Sequence, residues 1–388
     1  MSTKTKELSL CEHNSVDMLN FLRVAATMFV FLLHGRSYIE GIDDGFWLFT
    51  MFTNLPAWSG VWILFFLSGY LLQKGFLKNR YPVFEGGKLR PKALFSFYLR
   101  RFMKIAPAYY VYLLLFVILR ADNYFFSSPW TALKILTFTF NGNGGISGIG
   151  HLWYISVAMW LYVLAPFLYC VAEKFKSTRA LVIAFSLVTL CGLGIRYALR
   201  QTDLAWYDFS YTFLPCNIDL FFGGMLACSI TERIAAKREA GTPFVLKIIS
   251  LIVFIAVVVY NCYIYWQEQY LIYQDVMPTV YILSCSFLLW QFDSEKKKLS
   301  RAIASEIRKN PLRCIDWFSP ITYAFYIFHI AAFKYVQSVL SLWKGYPELS
   351  VYLRYIIFMG ASFVISLFMG IIFTKMISVF GSSKKKNS

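Results

Sequence analysis

Long apolar runs alternate with short polar or charged segments along most of the chain. Runs of about 17 to 22 residues match the length of a membrane-spanning helix, so the pattern predicts about ten transmembrane helices and an all-α, polytopic fold. A further apolar stretch at 125–140 contains Pro129, and we interpret it as an interfacial or re-entrant segment. The predicted spans lie near residues 17–35, 50–72, 105–121, 152–171, 180–197, 212–230, 246–264, 272–291, 317–338 and 352–376.

The connections between these spans differ in charge, and the difference predicts their orientation. Lysine and arginine are concentrated in alternate connections, whereas the others include the acidic IEGIDDG at 39–45 and the glycine-rich NGNGGISGIG at 141–150. Because basic connections stay on the cytoplasmic side, both termini are predicted to be cytoplasmic, in a multi-pass protein of the cell (inner) membrane. We expect one membrane domain over 1–388, with 1–16 as a cytoplasmic tail and 380–388 as a basic tail.

Composition supports the membrane location and excludes a soluble globular fold. Of the 388 residues, 58% are hydrophobic and only 15% are charged, which is more apolar surface than a soluble chain of this length can bury. The net charge of +17 lies mostly in alternate loops, which indicates membrane orientation, so we expect membrane lipids and no nucleic acid as partners. The eight cysteines form no CxxC pair and no metal-ligand spacing appears, so we expect no metal.

Two polar side chains interrupt the first predicted span. Arg23 and His34 are eleven residues apart. At 100° and 1.5 Å per residue they lie about 20° apart around the helix and roughly 16 Å apart along it. One face of this helix therefore carries a cation near the cytoplasmic side and a titratable imidazole near the outer side. Such groups are costly inside a bilayer, so their presence on one face indicates a functional site.

Three further polar residues lie in later spans. His151 begins the fourth span and His329 lies beyond the middle of the ninth, so both are predicted in the outer half of the membrane with His34. Asp219 is an acidic residue deep in the sixth span, where it would pair with Arg23 or orient a histidine. The alternative for each histidine is a structural hydrogen bond to a neighbouring helix.

Six segments in this order resemble the acyltransferase-3 family of integral membrane enzymes, which modify cell-surface glycans. The resemblance covers nearly the whole chain and includes an arginine, ten residues and a histidine in the first span. It implies a ten-helix fold that takes an acyl group, usually acetyl, from cytoplasmic acyl-CoA and delivers it to a glycan hydroxyl. The segments are NFLRVAATMFVFLLH (20–34), WILFFLSGYLL (62–72), FYLRRFMKIAPAYY (97–110), HLWYISVAMWLYVLAP (151–166), NIDLFFGGMLA (217–227) and SPITYAFYIFHI (319–330).

The chain departs from the family pattern at three places. Ala158 and Met159 occupy the positions of a glutamate pair found in many members, which puts an acidic role for that helix in doubt. Lys104 stands in place of the second arginine of an Arg-x-x-Arg sequence, and Asn20 in place of an acidic residue before the first-span arginine.

The resemblance and the chemistry of acyl transfer together assign catalytic roles. A hydroxyl needs a base to take its proton, so His34 is predicted to be the general base or, alternatively, the covalent carrier of the acyl group. Arg23, Asp219 and His329 are predicted to complete the catalytic group. The competing interpretations are a histidine that only bonds a neighbouring helix, and an arginine that extends to the lipid headgroups.

Two further groups are predicted to bind the substrates. Arg100, Arg101 and Lys104 at the cytoplasmic end of the third span would hold the phosphates of acetyl-CoA, the predicted acyl donor, although basic residues there also fix topology. An aromatic and polar group would contact the acceptor, a glycan or lipid-linked saccharide, with helix packing and an aromatic belt as the alternatives. The predicted acceptor contacts are Tyr70, His151 and Trp153.

These observations predict a membrane O-acyltransferase, in particular an O-acetyltransferase that acts at the outer side of the membrane. The alternative is a polysaccharide or lipid exporter or flippase, which would use the same polar face for passage. The sequence shows no inverted repeat, which counts against a transporter.

Overall fold

The computed structural model describes most of the helical body of the chain. The predicted tail at 1–16 and the last residues of the basic tail, 383–388, lie outside the described residues. The described residues are 17–42, 46–53, 57–115, 128–140, 148–202, 211–237, 242–267, 269–293 and 313–382.

Within these ranges the chain forms α-helices and one two-stranded ribbon. The ribbon pairs β1 (Phe84–Glu85) with β2 (Lys88–Leu89) in antiparallel register. The helices are α1 (Met18–Arg36), α2 (Trp47–Thr53), α3 (Ala57–Leu77), α4 (Pro91–Leu113), α5 (Pro129–Leu136), α6 (Trp153–Lys174), α7 (Thr178–Arg200), α8 (Ile218–Lys237), α9 (Phe244–Trp266), α10 (Tyr270–Asp275), α11 (Met277–Asp293), α12 (Arg313–Phe318), α13 (Thr322–Leu340) and α14 (Val351–Ser382).

Seven segments of the described chain are long and apolar enough to cross a membrane. The other three predicted spans also form helices, namely α4, α11 and α13, but these are shorter or more polar: α11 has 17 residues, and α13 contains His329 and Lys334. The polytopic all-α prediction is therefore confirmed, while the number ten and the orientation of the termini stay predictions. The seven segments are Met18–Arg36, Trp58–Leu77, Gly150–Lys174, Thr178–Arg200, Leu214–Lys237, Phe244–Trp266 and Val351–Met376.

The third predicted span begins earlier than the apolar pattern indicated. Helix α4 begins at Pro91 rather than near residue 105, and a proline is well suited to the first turn because its missing N–H would have no partner there. The basic residues Arg100, Arg101 and Lys104 consequently lie within the helix instead of in a segment before it.

Glycines bring α3 close to two neighbouring helices. A methyl group added at Gly69 would lie 1.8 Å from the carbonyl oxygen of Phe221 in α8, and one at Gly224 in α8 would lie 2.1 Å from that of Phe66 in α3. At Gly60 the obstacle is the carbonyl oxygen of Ala26 in α1, 2.4 Å away. Helices in lipid associate through such close backbone contacts, so α3 is fixed between α1 and α8.

Of the segment predicted to be interfacial or re-entrant, the described residues 128–140 form the short helix α5 and the turn that follows it. The last carbonyls of a helix need external donors, which in lipid must come from the protein. The hydroxyls of Tyr109 and Tyr110 in α4 donate to the carbonyls of Ile135 and Leu136, each at 2.8 Å. Trp130 on the other face of α5 is 66% exposed, so this face is available to lipid.

Candidate active site

Three histidines from separate elements meet at one end of the helix bundle. His34 lies near the end of α1, His151 in the 3₁₀ turn just before α6, and His329 in α13. The planes of the His34 and His329 rings are nearly parallel, at 10°, with centroids 5.1 Å apart, and the ring of His151 meets that of His329 edge-on at 5.2 Å. The structure thus brings together the three histidines that the sequence placed at one depth.

The hydrogen bonds of His34 and His329 fix which nitrogen carries the proton. His329 Nδ1 contacts the backbone carbonyl of Tyr326, and a carbonyl only accepts, so we assign the proton of His329 to Nδ1. His329 Nε2 is then an acceptor, and His34 Nδ1 donates to it at 2.8 Å. This assignment leaves an unprotonated lone pair on His34 Nε2, which is the form that a general base or nucleophile requires.

His151 is held by the backbone around the same group. The Nε2 of His151 lies 3.0 Å from the carbonyl oxygen of Ile327. The hydroxyl of Tyr326 donates to the backbone carbonyl oxygen of His151 at 2.6 Å. Its Nδ1 is buried without a hydrogen-bond partner among the described residues. His151 therefore ties the start of α6 to α13.

Phenylalanines lock α1 against α13 beneath the histidine pair. The ring of Phe31, one turn before His34, lies 5.2 Å from Phe325 and 4.9 Å from Phe333. All three rings are buried, and such aromatic contacts stabilise the helix pairing. The relative position of the two histidines is thus set by packing on rigid helices.

A cavity of about 290 Å³ opens beside the histidines. His34, His151 and Trp153 line it together with Trp58 and Tyr211. The ring of Tyr211 lies 4.1 Å from that of Trp58 and 5.0 Å from that of Trp153, so three aromatic rings form a continuous wall. Two of the three predicted acceptor contacts, His151 and Trp153, therefore line this cavity.

The third predicted acceptor contact, Tyr70, does not line this cavity. Tyr70 lies toward the other end of α3, and its hydroxyl donates to Asp293 at 2.7 Å. Lys74, one turn later, forms an ion pair with the same carboxylate. In the structure Tyr70 therefore links α3 to α11, in agreement with helix packing, the alternative to acceptor binding for this residue.

Arg23 lies near the opposite end of α1 from His34. Its Nη1 donates to the hydroxyl of Ser319 at 2.8 Å and to Asn20 at 3.4 Å. Asn20 in turn donates to Asp316 at 2.9 Å. Arg23 is therefore part of a polar group that joins α1 to α12 and to the turn between α12 and α13, toward the other end of α1 from His34.

The three basic residues of α4 form a cationic surface near Arg23. The guanidinium of Arg101 is hydrogen-bonded to the Tyr81 hydroxyl and lies over the Tyr81 ring, with Arg100 over the same ring at 5.5 Å. Lys104 is exposed and lies within electrostatic range of Arg101 and Arg23. These cations supply donors suited to phosphate groups.

Asp219 is not paired with either of the partners that the sequence suggested. Its carboxylate forms a buried ion pair with Arg196 of α7 at 2.9 Å, and the two side chains are 1% and 3% exposed. Arg196 also donates to the carbonyls of Cys216 and Asp275. The expectation that Asp219 pairs with Arg23 or orients a histidine is wrong, because α7 presents a nearer cation.

The sequence patterns did not predict a role for Arg196, Trp58, Tyr81 or Tyr211. Arg196 carried a usable signal, since an arginine inside an apolar run is as informative as an aspartate there. The aromatic residues gave none, because aromatic residues are common throughout this chain. Among the described residues, no group of three or more His, Cys, Asp or Glu side chains is arranged so that it could hold a metal ion.

The fold and the site define the class of the protein: an integral membrane helical protein with a hydrogen-bonded histidine pair beside a cavity. The chain belongs to the acyltransferase-3 family, whose sequence profile, described as an acyltransferase domain, matches residues 16–373. A similar protein is the Regulator of hypoxia-inducible factor 1 of Caenorhabditis elegans, which is 28% identical over 232 residues. That match covers 53% of this chain and 45% of the relative, so the chain spans less than half the relative's length. No solved structure matches the chain.

Proposed function

We propose that the protein is a membrane O-acetyltransferase that moves an acetyl group from cytoplasmic acetyl-CoA to a hydroxyl of a surface or lipid-linked glycan at the outer side of the cell membrane. Membership of the family supports an acyltransferase activity. The observation that supports transfer to a glycan hydroxyl is the His34–His329 hydrogen bond of 2.8 Å beside an aromatic-lined cavity. Aromatic walls with a few polar groups are typical of sites for small molecules, including sugars.

The histidine pair suits transfer from a thioester to a hydroxyl. As the acceptor oxygen attacks the thioester carbonyl, His34 Nε2 takes the proton of the acceptor hydroxyl; when the C–S bond breaks, His34 gives that proton to the sulfur, and coenzyme A leaves as a thiol. His329 accepts the Nδ1 proton of His34 in a hydrogen bond and so stabilises the imidazolium that forms. The same Nε2 is also the nucleophile in the alternative mechanism, in which His34 carries the acetyl group covalently.

The cationic surface on α4 suits the donor. Coenzyme A carries three phosphate groups, and Arg100, Arg101 and Lys104 together with Arg23 supply positive charge at one end of the bundle. Arg23 and His34 are roughly 16 Å apart along α1, a distance that the extended pantetheine arm spans. In this arrangement the phosphates stay at the cytoplasmic end while the thioester reaches the histidines.

The proposed sidedness depends on the charge of the connections. Ten spans with the basic connections in the cytoplasm place Arg101 and Lys104 near the inner face and His34, His151 and Trp153 in the outer half. The acceptor then enters the aromatic-lined cavity from outside, in a multi-pass protein of the cell membrane.

The direct test uses purified protein in sealed proteoliposomes with radiolabelled acetyl-CoA and a membrane glycan fraction. We expect label in the glycan with the wild-type protein and none above background with His34→Ala. His13→Ala is the matched control, because His13 lies in the predicted tail, and it should transfer as the wild type does. Label transfer that survives in His34→Ala contradicts the proposed mechanism, and acceptor movement without label would favour the exporter or flippase.

A further inference from the structure

A cluster of tyrosines occupies the space between the cationic surface and the histidine pair. Arg23 lies within electrostatic range of the hydroxyls of Tyr154 and Tyr162. The ring of Tyr154 meets that of Tyr326 at 5.2 Å, and the ring of Tyr326 lies 5.6 Å from that of His329. The contacts therefore run from the cationic end to the histidines through Tyr154 and Tyr326. The cluster comprises Tyr109, Tyr154, Tyr162, Tyr323 and Tyr326.

Both rings of the central pair are fixed by their surroundings. Tyr154 packs against Phe65 of α3 with ring centroids 4.7 Å apart. The Tyr326 hydroxyl donates to the carbonyl of His151 at 2.6 Å. Both tyrosines are buried, and Tyr326 also lines the acceptor cavity. The pair is thus a packed wall beside the ring of His329, the hydrogen-bond partner of His34.

We propose that Tyr154 and Tyr326 form a constriction that admits short acyl groups and excludes long ones. The inference rests on the proposed function, because it takes acyl-CoA to enter from the side of Arg23 and Lys104. The phosphates remain at that end, so the acyl group leads the pantetheine arm past the two rings. An acetyl group adds a single methyl beyond the thioester carbonyl, whereas each further methylene must displace part of a ring that is locked by packing and hydrogen bonds.

The constriction can be opened at Tyr154 without touching the histidines. Removal of a large buried side chain can leave a cavity of about 150 Å³ that accepts a molecule of the size of benzene, which is a six-carbon group. Tyr154→Ala should therefore let the protein use hexanoyl-CoA. Since two buried methylenes already change binding about tenfold, we expect the acetyl-over-hexanoyl preference to fall at least about tenfold.

The experiment measures release of free coenzyme A from acetyl-CoA and hexanoyl-CoA, together with competition of both thioesters for binding of radiolabelled coenzyme A. Each variant is scored by the ratio of the two thioesters, which is independent of the folded fraction of a preparation. Tyr154→Leu is the second enlarging variant in case Tyr154→Ala folds poorly. Tyr154→Phe keeps the ring and should keep the acetyl preference within about twofold. Tyr335→Ala removes a tyrosine of α13 that is 58% exposed and should leave the ratio unchanged.

Two results would overturn the constriction while the proposed function stands: a wild type that uses hexanoyl-CoA as well as acetyl-CoA, or enlarging variants with the wild-type ratio. A wild-type protein that neither binds coenzyme A nor releases it from either thioester would instead refute the proposed function, and the constriction with it. A shift toward hexanoyl-CoA in Tyr154→Ala and Tyr154→Leu, but not in Tyr154→Phe, supports the inference.

Discussion

Substitution of the buried ion pair between α7 and α8 separates a structural from a catalytic role for Asp219. Asp219→Asn keeps the shape of the side chain but removes the ion-pair partner of the Arg196 guanidinium, and breaking a buried pair costs about 3–5 kcal/mol. Arg196 retains its bonds to the carbonyls of Cys216 and Asp275, so we expect the lower end, about 3 kcal/mol. Arg196→Met should cost about 5 kcal/mol, because it leaves the carboxylate unpaired and also removes those bonds.

The double variant, with both Asp219→Asn and Arg196→Met, separates the energetic effect of the ion pair from the effect of losing either charge alone. With both charges absent, the remaining cost comes from the released carbonyls, about 1–3 kcal/mol, so the double variant should be more stable than Arg196→Met alone. The free energy of unfolding is measured by titration with dodecyl sulfate, followed by tryptophan fluorescence, and acetyl transfer is measured per folded protein. If Asp219→Asn has the stability of the wild type but no transfer activity, the structural role of Asp219 is refuted and a catalytic role is supported.

Three further variants test other parts of the account. Arg101→Ala and Lys104→Ala should each weaken binding of acetyl-CoA by about 1.5–3 kcal/mol, because each removes a contact to a phosphate group. Added salt should also weaken binding to the wild-type protein. If equilibrium binding is unchanged in both variants, these basic residues only fix the orientation of the protein in the membrane. Gly69→Ala should destabilise the fold by about 1–3 kcal/mol, because its methyl group would meet the Phe221 carbonyl. The control Gly194→Ala, whose methyl group would meet no neighbouring atom within 4 Å, should leave the stability unchanged. Both stabilities are measured by titration with dodecyl sulfate.

Much of the fold and of the site follows from the sequence because depth in a membrane is encoded locally. The position of a residue in an apolar run and the charge of the flanking loops place His34, His151 and His329 at one level, and the structure joins them there. The eleven-residue spacing likewise placed Arg23 and His34 on one helix face. These predictions depend only on helix geometry and the positive-inside rule.

What the sequence did not reveal is which helices are neighbours. The partner of Asp219 depends on α7 lying against α8, and that of Tyr70 depends on α11 lying against α3. Apolar periodicity gives the depth and the buried face of one helix but not the identity of the helix opposite. The start of α4 at Pro91 was missed for another reason, since the helix continues into a basic segment where hydropathy carries no signal.

The sidedness of the reaction tests the central claim most directly, because it requires both the cationic surface and the histidine pair in their proposed places. Sealed right-side-out vesicles that contain the protein are loaded with radiolabelled acetyl-CoA and supplied with glycan only outside. We expect label to appear in the external glycan with the wild-type protein and to be lost with His34→Ala. Acetyl-CoA supplied only outside should give none, because its phosphates cannot reach Arg101 and Lys104. Equal labelling from external and internal donor would contradict the account.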